Sequence, residues 1–454
     1  MPTTLDPHTG AHLQDYAWFS ADQSEASLAA VHDRYASWRR RPIAERAALL
    51  TKLGAELRRE REASAASMSA EMGKPITQAL GEIDKCAWLC EWVAEHGPGL
   101  LADEAVEAGA RRSYVSYQPL GPLFAIMPWN FPWWQALRFA VPALLAGNTV
   151  LLKHAPNTTG CGLAIAAALR EAGFPRGCLE TVIVEHERAA TIIEDPRIAG
   201  VTLTGSTRAG RAVGELAGRA LKKAVLELGG SDPYVVLADA DIERAAEICA
   251  AARLHNSGQT CVAAKRFVVV ESVADHFVEQ VRARMAAAVV GDPRDPATQV
   301  GPQARHDLRD ALHEQIQRSV AEGAQLLLGG ELPEGPGAYY PPTLLDHVKP
   351  GMVAAREELF GPAAALMRVP DEAEALRVAN DTDYGLGAVV FTEDLARGEA
   401  IAREQLDAGC CFVNAQVKSD PRLPFGGVKH SGIGRELGRA GMLEWTNVKT
   451  VYVS

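Results

Sequence analysis

The chain has 454 residues, of which 47% are hydrophobic and 23% charged, enough apolar material for the cores of two or more domains. Its 46 Lys and Arg against 57 Asp and Glu leave a formal charge of -11, which excludes the broad basic footprint of a nucleic-acid or anionic-membrane binder and favours a small-molecule partner. Eight cysteines form no C-x-x-C pair, so a reduced, cytoplasmic chain without a metal site is expected. The opening MPTTLDPHTG lacks the basic start and apolar core of an export signal, and the longest apolar run, Phe139 to Leu152, is broken by Pro142, Gly147 and Asn148. Neither export nor membrane spanning is expected.

From about Ser24 to His96 apolar residues recur every three to four positions among alternating Arg and Glu, which predicts at least three helices. Ala105 to Tyr117 changes to near alternation, the pattern of an antiparallel hairpin, and an ordinary surface hairpin and an oligomer arm are equally open. Pro119 to Pro132 holds a short strand and a Pro-bounded aromatic turn, followed by a helix from Trp133 to Leu145. Strand Val150 to Lys153, helix Gly160 to Ala172, strand Val182 to Val184 and helix Arg188 to Ile193 then alternate, which predicts a parallel sheet wrapped by helices. Strand Gly200 to Thr204 runs through Gly205-Ser206-Thr207 into a helix, a turn whose backbone N–H groups suit an anion such as a pyrophosphate, though it is not the G-x-G-x-x-G pattern. After Pro233 a second series follows, with strands near Tyr234 to Leu237, Arg266 to Val270, Ala364 to Val369, Ala388 to Phe391 and Cys411 to Val413. Leu332 to Thr343 reads as a surface loop and Asn447 to Val453 as an exposed strand able to cross to another subunit.

Between the two series lie the residues that carry chemistry. Glu227 ends a strand (Ala224 to Leu228) against Gly229-Gly230, and Cys261 follows a helix-like run and a Gly-containing polar turn, Asn256 to Thr260, expected to be flexible. A lone cysteine is more often a small buried hydrophobe, but a core residue gains little burial in such a loop. The pair therefore supplies a nucleophile and a general base.

With these residues, the PWNFP turn (Pro128 to Pro132), Thr204 to Ser206, EELFGP (Glu357 to Pro362) and PFGGVKHSGIGRE (Pro424 to Glu436), nearly the whole chain resembles the aldehyde dehydrogenase superfamily. Within it, KHAPN (Lys153 to Asn157), LELGGSDP (Leu226 to Pro233) and CVAAKRF (Cys261 to Phe267) resemble bacterial succinate-semialdehyde dehydrogenases. The resemblance implies an α/β fold with two Rossmann-like domains and a small β oligomerisation arm. The dinucleotide-binding domain would take residues 1–104 and 120–229, the nucleophile domain 230–422 and the arm 105–119 and 446–454, with 423–445 returning to the cofactor side. A homodimer or homotetramer is implied.

The same resemblance makes Cys261 the nucleophile toward an aldehyde, Glu227 the base that activates water against the thioester, and Asn130 and the Cys261 N–H the oxyanion donors, a role worth about 3 to 4 kcal/mol per donor. The cofactor, NADP or NAD, would meet Trp129 and Asn130 beside the nicotinamide, Lys153 at the adenosine ribose, Gly205 and Ser206 at the pyrophosphate, Glu358 at the nicotinamide ribose, and Phe360 and Leu228 in the pocket wall. For Trp129, Trp133 and Trp134, aromatic core filling stays open, and for at least one of them it is the expectation. Pro156 stands where many NAD-using relatives carry a Glu, which leaves the choice of cofactor open. Arg138, the one cation of an apolar helix, would hold the distal carboxylate of an anionic aldehyde, with Ser419 as a second contact; a structural ion pair is an equal alternative. His255 replaces an Arg found in some of these relatives. Another small aldehyde, an acylating enzyme that passes the thioester to coenzyme A, and a silent binding protein of the same fold are the competing readings; Glu227 favours hydrolysis, and Cys261, Glu227 and Asn130 together oppose the last.

Overall fold

Short Val-, Leu- and Ile-rich runs bounded by Gly and Pro alternate with helices through most of the chain, and a computed structural model, which describes all 454 residues, shows what they assemble into. A hairpin, β1 (Thr3–Leu5) and β2 (His12–Asp15), precedes helices α1 (Ala21–Trp38), α2 (Ile43–Arg59), α3 (Arg61–Met72) and α4 (Ile76–Leu100). Strands β3 (Glu104–Ala105) and β4 (Arg112–Pro119) follow. The first alternating series is β5 (Pro122–Met127), α5 (Trp134–Ala146), β6 (Thr149–His154), α6 (Thr159–Glu171), β7 (Leu179–Val182), α7 (His186–Glu194), β8 (Gly200–Thr204), α8 (Thr207–Arg219) and β9 (Lys223–Glu227). The second is β10 (Pro233–Val236), α9 (Ile242–Leu254), β11 (Arg266–Val270), α10 (Glu271–Ala286), α11 (His306–Ala321), β12 (Gln325–Leu328), β13 (Thr343–Asp346), α12 (Val353–Arg356), β14 (Ala363–Val369), α13 (Glu372–Asn380), β15 (Gly387–Phe391), α14 (Leu395–Glu404) and β16 (Cys410–Val413). The chain closes with β17 (Gly432–Ile433), α15 (Gly438–Glu444) and β18 (Thr446–Val453).

The first series forms a six-stranded sheet in the order β17-β9-β8-β5-β6-β7, parallel except for β17, which pairs Gly432 with Glu227 at the β9 edge. The second forms a seven-stranded sheet, β12-β13-β14-β11-β10-β15-β16, parallel except for β12. Both sheets are covered by helices, which is why their strands are buried along their whole length instead of alternating. Leu89, Leu123, Leu137, Tyr234 and Phe267 belong to one continuous apolar core, so α4, α5 and the two sheets pack as one body.

Two expectations change. β7 begins three residues earlier than the Val182 to Val184 run, because that run is the buried exit of the strand. β12 and β13 were not anticipated; each is only four residues long and they flank the predicted loop. The tail strand β18 pairs antiparallel along all of β4 in its own chain, β3 completes that three-stranded sheet, and the outer edge of β18 is left open. Finally, the N-terminal hairpin leans on the second half of the molecule, where Ala338 N–H donates to the Pro7 carbonyl at 2.8 Å and His8 meets the Tyr339 hydroxyl at 2.7 Å.

Candidate functional site

In the six-stranded sheet the chain leaves β5 toward β6 and β7, then returns to the other side for β8 and β9. Strand order thus reverses beside β5, and the carboxyl ends of β5, β8 and β9 flank a crevice of the kind in which open α/β sheets bind nucleotides. A cavity of about 260 Å³ occupies it, lined by Trp129 and Asn130 after β5, Gly205 and Ser206 after β8, Glu227 and Leu228 at the end of β9, and Glu358 and Phe360 from the second domain. Ser206 caps α8, its hydroxyl accepting from Ala209 N–H at 3.3 Å, and an added Cβ at Gly205 would meet nothing nearer than 3.9 Å, so the backbone there is open to a ligand. Lys153 and Pro156 lie past this cavity, at the end of the neighbouring β6. Lys153 is buried, has no ion-pair partner, and burial lowers its pKa. These residues fit a dinucleotide: an open helix start for phosphates, an unpaired buried cation, and an aromatic pair, Trp129 and Phe360, edge-to-face at 5.7 Å. Glu358 is more committed than expected, because its Oε1 already accepts from Lys265 Nζ at 2.8 Å and Gly230 N–H at 3.1 Å, which leaves Oε2 unpartnered.

The turn before Cys261 is not flexible. Asn256, Ser257, Gly258 and Gln259 are fully buried, and Asn256 and Ser257 take left-handed φ values of 53° and 55° that cost a non-glycine residue about 1 kcal/mol or more. Hydrogen bonds from every side hold this shape. Arg253 donates to the Gly258 carbonyl at 2.6 Å, Ser257 Oγ accepts from Gly301 N–H at 2.9 Å, and Gln259 Oε1 accepts from Ala304 N–H at 2.8 Å. The turn is also stitched to the PWNFP segment: Asn256 Nδ2 donates to the Asn130 carbonyl at 2.8 Å and Asn130 Nδ2 to the Gln259 carbonyl at 2.9 Å. One of the two Asn130 amide hydrogens therefore remains for a ligand. Cys261 itself is half-buried and lines two cavities. Burial pushes its thiol up to about 12, against the pull of Lys265 and Arg138.

Behind the thiol lie two buried carboxylates. Glu227, 2% exposed, has no hydrogen-bond partner on either oxygen, and burial, then Glu436, raise its pKa well above the usual range while Arg138 opposes them. Glu436 forms an ion pair with Arg138, each side chain only 2% exposed, and the Arg138 guanidinium lies 4.7 Å from the centre of the Phe425 ring. The ion pair, one of the two readings of Arg138, is thus present, and the side chain also borders the second cavity, with its Nε and Nη2 free of hydrogen-bond partners.

The second cavity, about 300 Å³, starts at Cys261 and is walled by Phe131, Trp134, Arg138, His255 and Ser419. His255 is not a cation there, since burial, with Lys74 and Lys85 nearby, lowers it to about 4. Trp133 is core, as one of the three tryptophans was expected to be, whereas Trp129 and Trp134 face cavities. Sequence reading missed Lys85. Its ammonium lies 4.1 Å from the Trp134 ring centre and donates to Ser419 Oγ at 2.9 Å. The available sign was the spacing of Gln78, Glu82 and Lys85, polar residues four and three apart that put one helix face into the cavity.

Two cavities thus meet at one thiol, and one of them lies at the switch point of a parallel sheet, where open α/β sheets bind nucleotides. The model of the aldehyde dehydrogenase family matches residues 2–451. The chain is 48% identical over 449 residues to the succinate semialdehyde dehydrogenase (NAD(P)+) Sad of Escherichia coli, covering 99% of this chain and 97% of that one. It is 44% identical over 451 residues to a probable succinate-semialdehyde dehydrogenase (NADP+) of Synechocystis, with 99% of each covered. Among solved structures, succinic semialdehyde dehydrogenase from Streptococcus pyogenes in complex with NADP+ superposes with a TM-score of 0.97 at 34% identity, covering 100% of both chains. The chain belongs to the aldehyde dehydrogenase family and is an aldehyde-oxidising enzyme. No helix is long and apolar enough to cross a membrane.

Proposed function

We propose that the enzyme oxidises succinate semialdehyde to succinate with NADP or NAD. The observation that carries the substrate is the character of the cavity that starts at Cys261, whose lining includes Lys85, Arg138 and Ser419 and suits an aldehyde that also bears a carboxylate. The names borne by the relatives at 44–48% identity point the same way. Gly205, Ser206, Lys153, Trp129, Glu358, Phe360 and Leu228 would hold the cofactor, which when bound accepts a hydride.

The thiol of Cys261 gives up its proton to water in the cavities it lines, and its sulfur bonds to the aldehyde carbon. The resulting oxyanion is met by the spare amide hydrogen of Asn130 and the Cys261 N–H. Loss of hydride from that carbon leaves a thioester on Cys261. Glu227, unpartnered and buried beside the thiol, then takes a proton from a water that attacks the acyl carbon, releasing succinate and restoring the thiol. With eight free cysteines, we place this chemistry in the reducing cytoplasm.

The test is reduced-nicotinamide absorbance with succinate semialdehyde, glutarate semialdehyde, butanal and benzaldehyde, each with NAD and NADP. The reading requires the highest kcat/KM for succinate semialdehyde. Preference for an uncharged aldehyde would refute it.

A further inference from the structure

One buried ammonium joins the backbone of the thiol to the wall of the cofactor cavity. Lys265, four residues after Cys261 and with 1% of its side chain exposed, donates from Nζ to the Cys261 carbonyl at 2.6 Å and to Glu358 Oε1 at 2.8 Å. Glu358 comes from the segment after α12, and Gly230 N–H is its second donor at 3.1 Å. The fit is close. A Cβ on Gly229 would stand 2.2 Å from Glu358 Oε2, and one on Gly230 would stand 2.8 Å from Asp232 Oδ1 and 3.1 Å from the Cys261 carbonyl oxygen. The two glycines after β9 thus let a carboxylate of the cofactor cavity, a buried lysine and the nucleophile's backbone come together. Lys265 takes no part in the bond changes of the reaction.

We infer that Lys265 is a positioning residue that couples the two halves of the active site, holding Glu358 in place for the cofactor and lending its positive charge to the Cys261 thiolate. This deepens, and rests on, the reading in which Cys261 is the nucleophile and Glu358 meets the cofactor. Bonds from an ionised donor are the stronger kind, and at 1% exposure water does not replace them. The thiol needs the charge, because burial is the main force against its ionisation and Lys265 does most to oppose that force. The other charged or titratable groups that face Cys261 are Arg138 from α5, which also helps, Glu358 and Asp232, which hinder, and Glu227, which lines the same cavity from the end of β9. Lys265 and Glu358 therefore act on the thiol with opposite signs. Burial raises Asp232 to about 7, with Lys265 opposing, so above that pH the ammonium stands among two carboxylates and the thiol.

The experiment measures the rate of alkylation by iodoacetamide at pH 8.5, where Asp232 is already ionised, in the wild type, Lys265→Met and Glu358→Gln, with the labelling of Cys261→Ala subtracted. The Kd for NADP is measured on the same proteins by fluorescence quenching. Lys265→Met is expected to alkylate about 10-fold more slowly or worse, since loss of a nearby opposite charge raises the pKa of an acid by about a unit or more. It should also bind NADP about 3- to 10-fold more weakly, because Glu358 then keeps only its bond from Gly230. Glu358→Gln should weaken NADP too, yet alkylate faster than the wild type, because the ammonium no longer shares its charge with that carboxylate. A Lys265 that served only the fold would slow both variants or leave both unchanged, and either result overturns the coupling. Should Lys265→Met not fold, Glu358→Gln decides alone, and alkylation that slows or stays level refutes the inference. If Glu358→Gln binds NADP as tightly as the wild type, the reading of the cofactor cavity falls and the coupling with it. If it binds NADP weakly while Lys265→Met alkylates like the wild type, the coupling falls and the cavity reading stands.

Discussion

The turn that carries Asn130 and the helix that carries Arg138 begin on a single buried carboxylate, and removing it should be far more damaging than removing its cation. Trp133, at the start of α5, has no side-chain cap; instead Glu82 Oε1 accepts from both Trp133 N–H and Trp134 N–H at 2.9 Å. Glu82 also pairs with Lys74, with 2% and 1% of the two side chains exposed, and the Lys74 ammonium lies 3.8 Å from the Phe131 ring centre. Glu82→Ala leaves a buried charge without its partner, about 3 to 5 kcal/mol, and strips two backbone donors of their acceptor, about 1 to 3 kcal/mol each where water from the adjoining cavity does not replace it. A loss of about 5 to 11 kcal/mol is comparable to the whole stability of many proteins. Lys74→Met keeps both N–H bonds to an ionised carboxylate, so it should cost about 2 to 4 kcal/mol, and adding it to Glu82→Ala should recover about 3 kcal/mol. Burial lowers the pKa of Lys74, and Glu82 opposes that shift. Without Glu82 the unfolded chain holds a proton that folded Lys74 releases, so the stability of Glu82→Ala should climb with pH from neutral toward about 10.4, the ordinary lysine value. Urea unfolding of the single and double variants at pH 7 and 9.5 measures all of this. If Lys74→Met is as damaging as Glu82→Ala, the carboxylate matters only as half of an ion pair and not as the holder of α5.

Cys261→Ala should lose aldehyde oxidation by about 10⁴-fold or more while still binding cofactor, measured by quenching of protein fluorescence; retained turnover would remove the thiol from the reaction. Glu227→Gln should give one burst of reduced cofactor per site and then a steady rate about 10² to 10⁴-fold lower; because Glu227 is raised, wild-type thioester hydrolysis should quicken with rising pH whereas the variant stays flat, and equal loss of burst and steady rate would contradict the role. Pro156→Glu should lower kcat/KM with NADP about 10- to 100-fold more than with NAD; a native enzyme inert with millimolar NADP would show the opposite preference and refute the cofactor reading. β18 offers an outer edge with Val448 61% and Tyr452 57% exposed, so light scattering should report a dimer or tetramer of 48.6 kDa chains, dissociated by Val448→Asp; a monomer at micromolar concentration would rule that out.

What the sequence made legible is what the chemistry keeps local. Cys261, Glu227 and Asn130 each sit at the end of an element whose turn residues are written beside them, and the alternation of strand and helix gives both parallel sheets almost strand for strand. What it hid is whatever depends on which distant groups meet. The turn of Asn256 and Ser257 reads as polar and loose, but its polarity is consumed by Gly301, Ala304 and Asn130, and those bonds make it rigid. Arg138 reads as a cation in need of an anion; nothing in its own helix says whether the anion is a ligand or Glu436.

The same logic shows where to look for specificity in a site of this kind. Arg138 keeps two buried guanidinium nitrogens without a hydrogen-bond partner although it pairs with Glu436, and Lys85 bonds only to a neutral hydroxyl. Lys85 escaped notice because periodicity assigns a helical lysine to water by default, and only the three-dimensional meeting of α4, Trp134 and Ser419 turns its ammonium inward. Both cations therefore line the cavity that starts at Cys261, one foreseen from its apolar helix and the other visible only once the helices have met.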